Sequence, residues 1–512
     1  MKILDCTLRD GGYYTNWDFD KDLVKTYCKS MESLPIDYVE IGYRSIPIEG
    51  YLGEYFYCPE FVMKELKEWM PSKKLVIILN EKDIRASHVP ELLKPCLGYI
   101  SMVRIAIDPV NFARAIELAK AIKVMGFEVG FNVMYMSKWK EDNSFLDLLD
   151  GLDDTIDYFY MVDSFGGVFQ QDVIETINLV KSKTNVKLGF HGHNNLEMAL
   201  ANTITAMNEG CNIIDATITG MGRGAGNLKT ELLLTYLTSQ DKIKLDFNIL
   251  EKVVSGFCLL QNKYGWGANL PYMVSGANSL PQKDVMAWVT TGRFSFNSII
   301  RALQNLSNGI EDNENLEVLN DSIHGNTVLL IGGGPSVSKH YEAICILLKN
   351  NTSTILVHAS SKHASLFKKF PNKQYFCLVG NEGQRMEEVF DGNFNTDSLC
   401  VLPPYPRLMG TFVPKSLIKR SFQLEKYDFT NLKIDSHTSI ALQLISNMKS
   451  KKIMIIGYDG YKTELLDETS QELIIENNKL FKDFIKTKNI QVESLFDTVY
   501  NLPINSIYSI IS

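Results

Sequence analysis

The chain has 512 residues, 45% of them hydrophobic and 22% charged, which predicts a globular protein of two or three domains. Its net charge of −8 offers no basic surface for nucleic acid or an anionic membrane. It contains no run of about 18 apolar residues, so no membrane span is expected, and its first residues lack a signal-peptide pattern. Nine cysteines without a CxxC pair predict reduced, mostly buried thiols in a cytoplasmic protein.

Apolar segments and amphipathic segments alternate regularly through residues 1–240. Eight apolar segments are predicted strands: Lys2–Thr7, Tyr38–Gly42, Lys74–Leu79, Tyr99–Ile105, Glu128–Met134, Tyr158–Val162, Val186–His191 and Ile213–Thr219. Between them, segments such as Asp20–Met31 and Asn111–Met125 repeat apolar residues at helical spacing. Eight such units predict a (β/α)8 TIM barrel of the α/β class. An open doubly wound sheet is the alternative, but it does not need eight units of such even spacing.

The remainder of the chain is predicted to form three further parts. Residues 241–306 read as a helical extension, residues 307–322 as a linker rich in Asn, Asp and Glu, and residues 323–512 as a Rossmann-like α/β domain. The predicted strands of that domain are Thr327–Ile331, Ser353–His358, Tyr375–Val379, Ser398–Leu402, Lys452–Ile456 and Ile490–Ser494. Its predicted helices are 338–349, Ser439–Asn447 and Gln471–Lys486.

Two histidines near the end of the seventh predicted strand mark the candidate site. His191 and His193 are one residue apart, so on a strand their side chains point the same way and can bind one metal ion. Active sites of such barrels lie at the carboxyl ends of the strands. Polar residues predicted at those ends are Arg9, Asp10, Glu40, Arg104, Asn132, Asp163 and Asn227. Mixed nitrogen and oxygen ligands suit Mn²⁺, Mg²⁺, Co²⁺ or Zn²⁺ as a Lewis acid. A pair of core or surface histidines without a metal is the alternative.

Four motifs in order, LDCTLRDGG, VEIG, GFHGHNN and GMGRGAGN, resemble the DRE-TIM metallolyase (HMGL-like) family. With YGWGANLPY, the likeness is to its 4-hydroxy-2-oxovalerate aldolase branch and extends over residues 1–303. The resemblance implies a metal bound by Asp10, His191 and His193, with Asn227 at a position that binds the metal in some members.

The same resemblance implies that Arg9 holds an enolate oxygen beside the metal and that Glu40 orients Arg9. The chemistry agrees, because a cation and a guanidinium stabilise negative charge as it develops on an enolate oxygen. A buried structural ion pair between Arg9 and Asp10 is the alternative. A Schiff-base mechanism is disfavoured, because it needs a lysine at the carboxyl end of a strand and Lys187 lies at the start of one.

The sequence departs from the aldolase branch in two ways. Tyr13 stands where that branch has a histidine general base, and a tyrosine with an ordinary pKa near 10 is a poor base but can donate a proton. The alternative is that Tyr13 and Tyr14 only pack in a loop. The aldolases of this branch also work with a separate acylating aldehyde dehydrogenase, whereas this chain carries its own second domain.

A glycine-rich turn opens the second domain. Gly332-Gly333-Gly334-Pro335-Ser336 follows a predicted strand, and backbone N–H groups at such a turn can hold a phosphate. Val337 breaks the GxGxxG pattern, so a merely tight connection is the alternative. Together with the later GYDGY, the turn resembles motility accessory factor and pterin pyrophosphokinase-type proteins. This implies a nucleotide or nucleotide-sugar site, with the candidate residues Gly333, Gly334, Ser336, His437, Ser439 and Asp459. His437 could equally be only a helix-start residue.

The sequence thus predicts a divalent-metal-dependent aldolase or lyase that forms or cleaves a carbon–carbon bond through a pyruvate-like enolate. Its predicted partners are a small 2-oxo acid and a carbonyl acceptor, and the second domain suggests a sugar or nucleotide sugar as that acceptor. An acetyl-CoA-dependent Claisen synthase and a non-catalytic scaffold with a nucleotide-binding domain are the alternatives. Whether the chain forms a homo-oligomer stays open.

Overall fold

The computed structural model describes residues 1–512 except 142, 153, 291–293, 311–312, 320–326, 381–382, 384–385, 388–397, 408, 410, 412, 414, 433–434, 461–467, 489 and 512. The chain divides into two compact units, Met1–Thr290 and Thr291–Ser512. The predicted domain limits at residues 240, 306 and 322 stay predictions. Parts of the predicted linker, 311–312 and 320–322, and the predicted domain start at Ile323 lie outside the described residues.

Eight parallel strands of the first unit close into a barrel, because the first strand pairs with the eighth. This confirms the predicted TIM barrel. The strands are β1 (Lys2–Asp5), β2 (Tyr38–Tyr43), β3 (Lys74–Asn80), β4 (Ile100–Ile107), β5 (Glu128–Val133), β6 (Tyr158–Asp163), β7 (Lys187–Gly192) and β8 (Ile213–Ala216). β2 and β6 are buried along their whole length, as expected for parallel strands covered on both faces.

The helices of this unit surround the barrel and continue beyond it. They are α1 (Thr7–Thr15), α2 (Lys21–Ser33), α3 (Glu54–Tyr57), α4 (Glu60–Trp69), α5 (Val89–Leu93), α6 (Phe112–Val124), α7 (Asn143–Leu146), α8 (Gln170–Lys181), α9 (Ala199–Asn208), α10 (Thr230–Ser239), α11 (Phe247–Tyr264), α12 (Leu270–Ala277) and α13 (Gln282–Thr290). In the region predicted to be a helical extension, residues 241–306, α11, α12 and α13 belong to this unit, and a further helix begins at Phe296.

The interior of the barrel is packed with side chains at one end. One hydrophobic cluster consists of seven strand residues and of Cys6, which directly follows β1. Its members are Leu4, Cys6, Tyr38, Val76, Met102, Tyr158, Tyr160 and Ile213. A much larger cluster lies between the strands and the surrounding helices. Side chains therefore fill the barrel interior, and polar side chains lie at its carboxyl end.

The start of the barrel differs from the predicted strand Lys2–Thr7. β1 ends at Asp5, and α1 begins at Thr7, because the Asp5 carboxylate accepts hydrogen bonds from the Thr7 backbone N–H (3.0 Å) and hydroxyl (2.6 Å). This side-chain contact turns the chain at once into a helix. Asp10 consequently projects from the first turn of α1 at the carboxyl end of the barrel rather than from a strand.

The second unit contains a seven-stranded parallel sheet with the order β13-β12-β11-β10-β9-β14-β15. Its strands are β9 (Thr327–Ile331), β10 (Ile355–His358), β11 (Gln374–Cys377), β12 (Leu399–Leu402), β13 (Ser421–Gln423), β14 (Lys452–Ile456) and β15 (Gln491–Ser494). The helices with defined limits among the described residues of this unit are α14 (Phe296–Ser307), α15 (Ser336–Lys339), α16 (Tyr341–Asn350), α17 (Ala364–Phe367), α18 (His437–Asn447), α19 (Glu468–Lys488) and α20 (Ile507–Ile511). The order reverses between β9 and β14, where the sheet is wound in both directions.

Alternate residues of β9 belong to two different hydrophobic clusters. Val328 and Leu330 join one cluster, and Leu329 and Ile331 join the other. Both faces of the sheet are therefore covered, which confirms the predicted α/β organisation of this unit. The three-residue strand β13 was not predicted from the sequence, because a segment this short carries no readable alternation.

All nine cysteines are free, and each is buried except Cys258 and Cys345, which are partly exposed. This agrees with the expectation of reduced and mostly buried thiols. Among the residues that the structure describes, no helix has the length and apolar character needed to cross a membrane.

Candidate active site

A cavity of about 490 Å³ opens at the carboxyl end of the barrel. Its wall includes the predicted site residues Arg9, Asp10, Tyr13, His191 and His193. The two other predicted barrel residues, Glu40 and Asn227, are buried and hydrogen-bond to residues of this wall. The seven residues thus form one site, although they come from four regions of the sequence.

The two histidines are oriented by hydrogen bonds through their Nδ1 atoms. His191 Nδ1 lies 2.8 Å from the Asp215 carboxylate oxygen Oδ2, and His193 Nδ1 lies 2.7 Å from the backbone carbonyl oxygen of Asp163. A carbonyl oxygen only accepts, so His193 Nδ1 carries the proton, and the carboxylate favours the same tautomer in His191. Nε2 is then the free nitrogen of each ring, and His191 Nε2 lies 3.7 Å from Asp10 Oδ2.

The charges of these three groups suit a metal site. Burial alone would raise the pKa of Asp10, but Arg9, the two histidines and the Asn227 amide together hold it below its ordinary value. Burial lowers the pKa of His193 and holds that of His191 well below its ordinary value. Asp10 is therefore ionised and both imidazoles are neutral at neutral pH, which are the forms that bind metal ions.

The neighbouring asparagine supplies a direct test of whether a cation fits. Asn227 Nδ2 donates to Asp10 Oδ2 over 2.7 Å. Its carbonyl oxygen Oδ1 is buried and has no hydrogen-bond partner among the described residues. A buried amide oxygen without a partner is costly, and a cation held beside Asp10 would satisfy it. Asp10, His191, His193 and Asn227 therefore fit a divalent metal ion.

A second set of potential ligand atoms, from Cys6, His191 and Asp215, also lies within 4.8 Å of one another. It suits a cation less well. Asp215 Oδ2 already accepts hydrogen bonds from Arg104 Nη2 (2.6 Å) and from His191. Burial also holds the pKa of the Cys6 thiol well above its ordinary value, so the thiolate that a metal requires is not formed.

A series of contacts between buried charged side chains connects Arg9 of the cavity wall, through Glu40, Arg104 and Asp215, to His191. Arg9 Nε donates to Glu40 Oε2 over 2.7 Å, and Arg9 Nη1 contacts Asp10 Oδ1 closely. The same Glu40 oxygen lies 3.4 Å from Nη1 of the fully buried Arg104, which also pairs with Asp215. Arg9 Nη2 is buried and has no hydrogen-bond partner among the described residues, so this N–H group lacks the acceptor that a buried donor requires.

Sequence reasoning missed Asp215, which holds both Arg104 and His191. The signal available was a single carboxylate within the otherwise apolar strand β8, since an ionised group on a barrel strand needs a buried partner. Asn132, noted as a polar strand residue, accepts a hydrogen bond from Arg104 Nε over 2.7 Å.

The two predicted tyrosines of α1 have different surroundings. The Tyr13 hydroxyl oxygen lies in the cavity wall, 2.8 Å from the Tyr43 hydroxyl oxygen, and the Arg223 guanidinium carbon lies 3.7 Å from the centre of the Tyr13 ring. The Tyr14 hydroxyl donates to the backbone oxygen of Gly224 over 3.5 Å, and the Tyr14 ring packs near Trp266. Only Tyr13 of the two lines the cavity.

A second cavity, of about 460 Å³, lies in the second unit where loops follow β9, β10 and β14. Gly333, Gly334 and His437 line it, together with Lys362, which sequence reasoning did not identify. The predicted helix 338–349 is divided at His340 into the four-residue helix α15 and the longer helix α16.

Three other predicted residues of this cavity, Ser336, Ser439 and Asp459, form hydrogen bonds with protein groups. Ser336 Oγ donates to Asp459 Oδ2 over 2.9 Å, which ties the loop after β9 to the loop after β14. Ser439 is buried in the first turn of α18, where its backbone N–H donates to the Ser436 hydroxyl that caps the helix. These three side chains do not line the cavity, but their hydrogen bonds support the segments that do.

Comparison with known proteins finds relatives for the barrel. Residues 102–254 match the family model described as HMGL-like. A crystal structure of the N-terminal domain of a candidate aldolase from Bacteroides vulgatus is 57% identical, with a TM-score of 0.56, and covers 59% of this chain and 100% of that one. Oxaloacetate decarboxylase of Mycobacterium tuberculosis is 25% identical over 58% of this chain and 89% of its own length. A 4-hydroxy-2-oxovalerate aldolase of Bacillus cereus is 25% identical over 49% and 72%, respectively.

Proposed function

The chain belongs to the HMGL-like family, and on this premise we propose that its barrel is a divalent-metal-dependent carbon–carbon lyase or aldolase that works through a pyruvate-like enolate. One observation carries the proposal. Arg9 and Asn227 both contact Asp10, through Nη1 and Nδ2 respectively, while Arg9 Nη2 and Asn227 Oδ1 are buried without a hydrogen-bond partner among the described residues. Arg9 and Asp10 line the cavity together with the two neutral histidines.

The proposed metal ligands are Asp10, His191, His193 and Asn227. This mixed set of oxygen and nitrogen donors accommodates Mn²⁺, Mg²⁺, Co²⁺ or Zn²⁺. A bound cation would supply Lewis acidity to the carbonyl oxygen of a 2-oxo acid.

Arg9 is the proposed catalytic cation of the protein itself. As a carbon–carbon bond breaks, negative charge collects on the enolate oxygen, and Arg9 Nη2 donates a hydrogen bond to that oxygen. Glu40 acts as a positioning residue, because its contact with Arg9 Nε over 2.7 Å sets the orientation of the planar guanidinium. The donor is then already aimed when the charge develops.

The proposed donor substrate is a small 2-oxo acid. The relatives are named for 4-hydroxy-2-oxovalerate and oxaloacetate, and cleavage of either compound leaves the same pyruvate enolate. An acetyl-CoA-dependent Claisen condensation is the competing reaction, and it would release a free thiol from acetyl-CoA in the presence of a 2-oxo acid.

Deuterium exchange into the methyl group of pyruvate tests the enolate. We expect exchange with the purified full chain and Mn²⁺, and its loss in Asp10→Asn. Asp157→Asn is the control, because this partly exposed carboxylate pairs with Lys123 outside the cavity. Absence of exchange with every divalent metal ion, while the protein is folded, would refute the proposal.

We also propose that the second cavity binds a nucleotide or nucleotide sugar, which would make a sugar the carbonyl acceptor. The proposal is supported by the position of this cavity at the reversal of strand order between β9 and β14, where parallel sheets bind ligands. Gly333, Gly334, Ser336, Ser439 and Asp459 would form and support it. A cytoplasmic location, supported by the free cysteines, belongs to the same proposal.

Calorimetric titration of the full chain with ADP, UDP-glucose and CMP tests this cavity. We expect binding of at least one of them, weakened about tenfold or more by Lys362→Ala, since a phosphate loses a charged hydrogen bond. The exposed Lys349 of α16 does not line the cavity, so Lys349→Ala is the control. Equal binding by both variants would show that the ligand lies elsewhere.

A further inference from the structure

Two tyrosine hydroxyls face each other in the wall of the barrel cavity. Tyr13, from α1, and Tyr43, at the end of β2, have their hydroxyl oxygens 2.8 Å apart, and both residues line the cavity beside Arg9 and Asp10. Tyr43 is buried, whereas Tyr13 is half-buried. The pair thus reaches from the barrel interior to the open part of the cavity.

Aromatic and cationic contacts hold the pair in place. The Trp17 ring meets Tyr13 edge-on with centroids 5.0 Å apart and meets Tyr43 edge-on at 5.5 Å. Phe56 stacks on Tyr43 at 5.3 Å, and Arg223 lies over the Tyr13 ring at 3.7 Å. Contacts of these kinds restrict ring motion, so the hydroxyl groups keep a defined position.

The other ionisable groups of the cavity are either engaged or exposed. Arg9 and the ligand set Asp10, His191 and His193 are used by the proposed enolate chemistry. Asp108 accepts a hydrogen bond from the Val110 backbone N–H, and Lys138 and Lys283 are exposed. Tyr135 also lines the cavity, where its ring stacks on that of Phe165 with centroids 5.3 Å apart. The Tyr13–Tyr43 pair differs from Tyr135 because it joins two hydroxyl groups 2.8 Å apart, which gives a proton a path between them.

We propose that Tyr13 and Tyr43 carry the proton of the acceptor oxygen in an aldol reaction, and that Arg223 positions Tyr13. The inference rests on the proposed function. In condensation, the enolate carbon forms a bond to the acceptor carbonyl carbon, and the π electron pair of that carbonyl moves onto its oxygen. Tyr13 gives this oxygen its hydroxyl proton, takes the proton of Tyr43, and the pair is reprotonated from water. Cleavage follows the same steps in reverse, and the enolate carbon then takes a proton from water.

This role separates two reactions that share one enolate. Aldol cleavage of 4-hydroxy-2-oxovalerate must remove a hydroxyl proton before the carbon–carbon bond breaks. Decarboxylation of oxaloacetate has no such hydroxyl, because its leaving group is carbon dioxide. A group that serves the acceptor oxygen is needed for the first reaction and not for the second.

The test compares these reactions in Tyr13→Phe and Tyr43→Phe, each of which removes one hydroxyl and keeps the ring. We expect aldol cleavage to fall about 100-fold or more, the usual effect of losing an acid–base group, while decarboxylation changes little. Tyr14→Phe is the matched control, because its hydroxyl contacts Gly224 and lies outside the cavity wall. Melting temperatures confirm that the variants are folded.

Each other outcome has a distinct meaning. Equal losses in both reactions, no loss in either, or a wild-type protein that decarboxylates oxaloacetate without cleaving 4-hydroxy-2-oxovalerate would overturn the inference. A wild-type protein that shows neither reaction and no deuterium exchange into pyruvate would refute the proposed function itself. For Arg223→Gln we expect a lower kcat for cleavage at unchanged KM. A raised KM at unchanged kcat would instead assign Arg223 to substrate binding.

Discussion

The carboxylate oxygen Oδ2 of Asp215 lies 2.8 Å from Nδ1 of His191, and it is the same oxygen that accepts from Arg104. The same Asp215 oxygen therefore contacts both side chains. It fixes the ring and tautomer of a proposed metal ligand, and it neutralises a buried arginine.

Replacement of this carboxylate should weaken metal binding. In Asp215→Asn we expect the affinity for Mn²⁺ to fall about 10- to 100-fold, the usual cost of losing a group that supports a ligand. Titration with Mn²⁺, followed by calorimetry, measures this. Asp157→Asn removes a carboxylate outside the cavity and should bind Mn²⁺ like the wild type. Unchanged affinity in Asp215→Asn would contradict the orienting role.

The geometry of Arg9 should matter as well as its charge. Arg9→Lys keeps one positive charge but cannot contact Glu40, Asp10 and a substrate oxygen together. We expect kcat for oxaloacetate decarboxylation to fall about 100-fold, as when one oxyanion donor is lost. Arg114→Lys is a matched control, since Arg114 Nε pairs with Glu81 at 2.6 Å outside the cavity. A fully active Arg9→Lys variant would assign Arg9 a purely structural role.

The stability of the metal-free protein should depend on pH through Asp163. Burial raises the pKa of this carboxyl from 3.8 to about 7, despite hydrogen bonds from backbone N–H groups. Between these two values the folded protein binds a proton that the unfolded chain does not. The stabilisation is fully present below pH 3.8 and is lost as the pH rises through 7.

Asp163→Asn removes this titration. Relative to the wild type, the variant should gain stability as the pH rises from 4 to about 8, because the wild type must then bury a charge. Urea unfolding of both proteins without metal measures the difference at each pH. A difference that does not change with pH would show that Asp163 does not titrate in this range.

The close packing of α1 makes Gly12 sensitive to substitution. A Cβ atom at this position would lie 2.1 Å from Trp17 Nε1, which donates a hydrogen bond to the Arg9 backbone oxygen over 2.9 Å. We expect Gly12→Ala to lower the free energy of unfolding by about 1–3 kcal/mol, as overpacking does. Lys29→Ala, at an exposed position of α2, should change it by less than about 0.5 kcal/mol. Equal stability of the two variants would mean that Trp17 moves at no cost.

The barrel could be predicted because its signal repeats eight times along the chain, and the position of the site follows from that topology. The alternation of side chains on a strand also identified His191 and His193 as neighbours. The end of β1 could not be read from the sequence. Its position depends on the Asp5 carboxylate bonding to Thr7, a side-chain contact that overrides the apolar pattern.

Partners that are distant in the sequence were the other missing information. A family resemblance made Asp459 a candidate residue, and the structure adds that its carboxylate accepts a hydrogen bond from the Ser336 hydroxyl, 123 residues away. Lys362 lies in the cavity wall, yet nothing near it in the sequence distinguishes it from the other lysines. Such pairings are set by three-dimensional packing, which a single sequence does not encode in a local pattern.

Asp10 and Asn227, joined across 217 residues, come from opposite sides of the join between β1 and β8. The site therefore exists only in the closed ring. A growing chain could not assemble it until the last strand had been made and had paired with the first. A metal ion bound by both residues would connect the two sides of this join. Separation of β1 from β8 would therefore release the ion, and binding of the ion would stabilise the closed barrel.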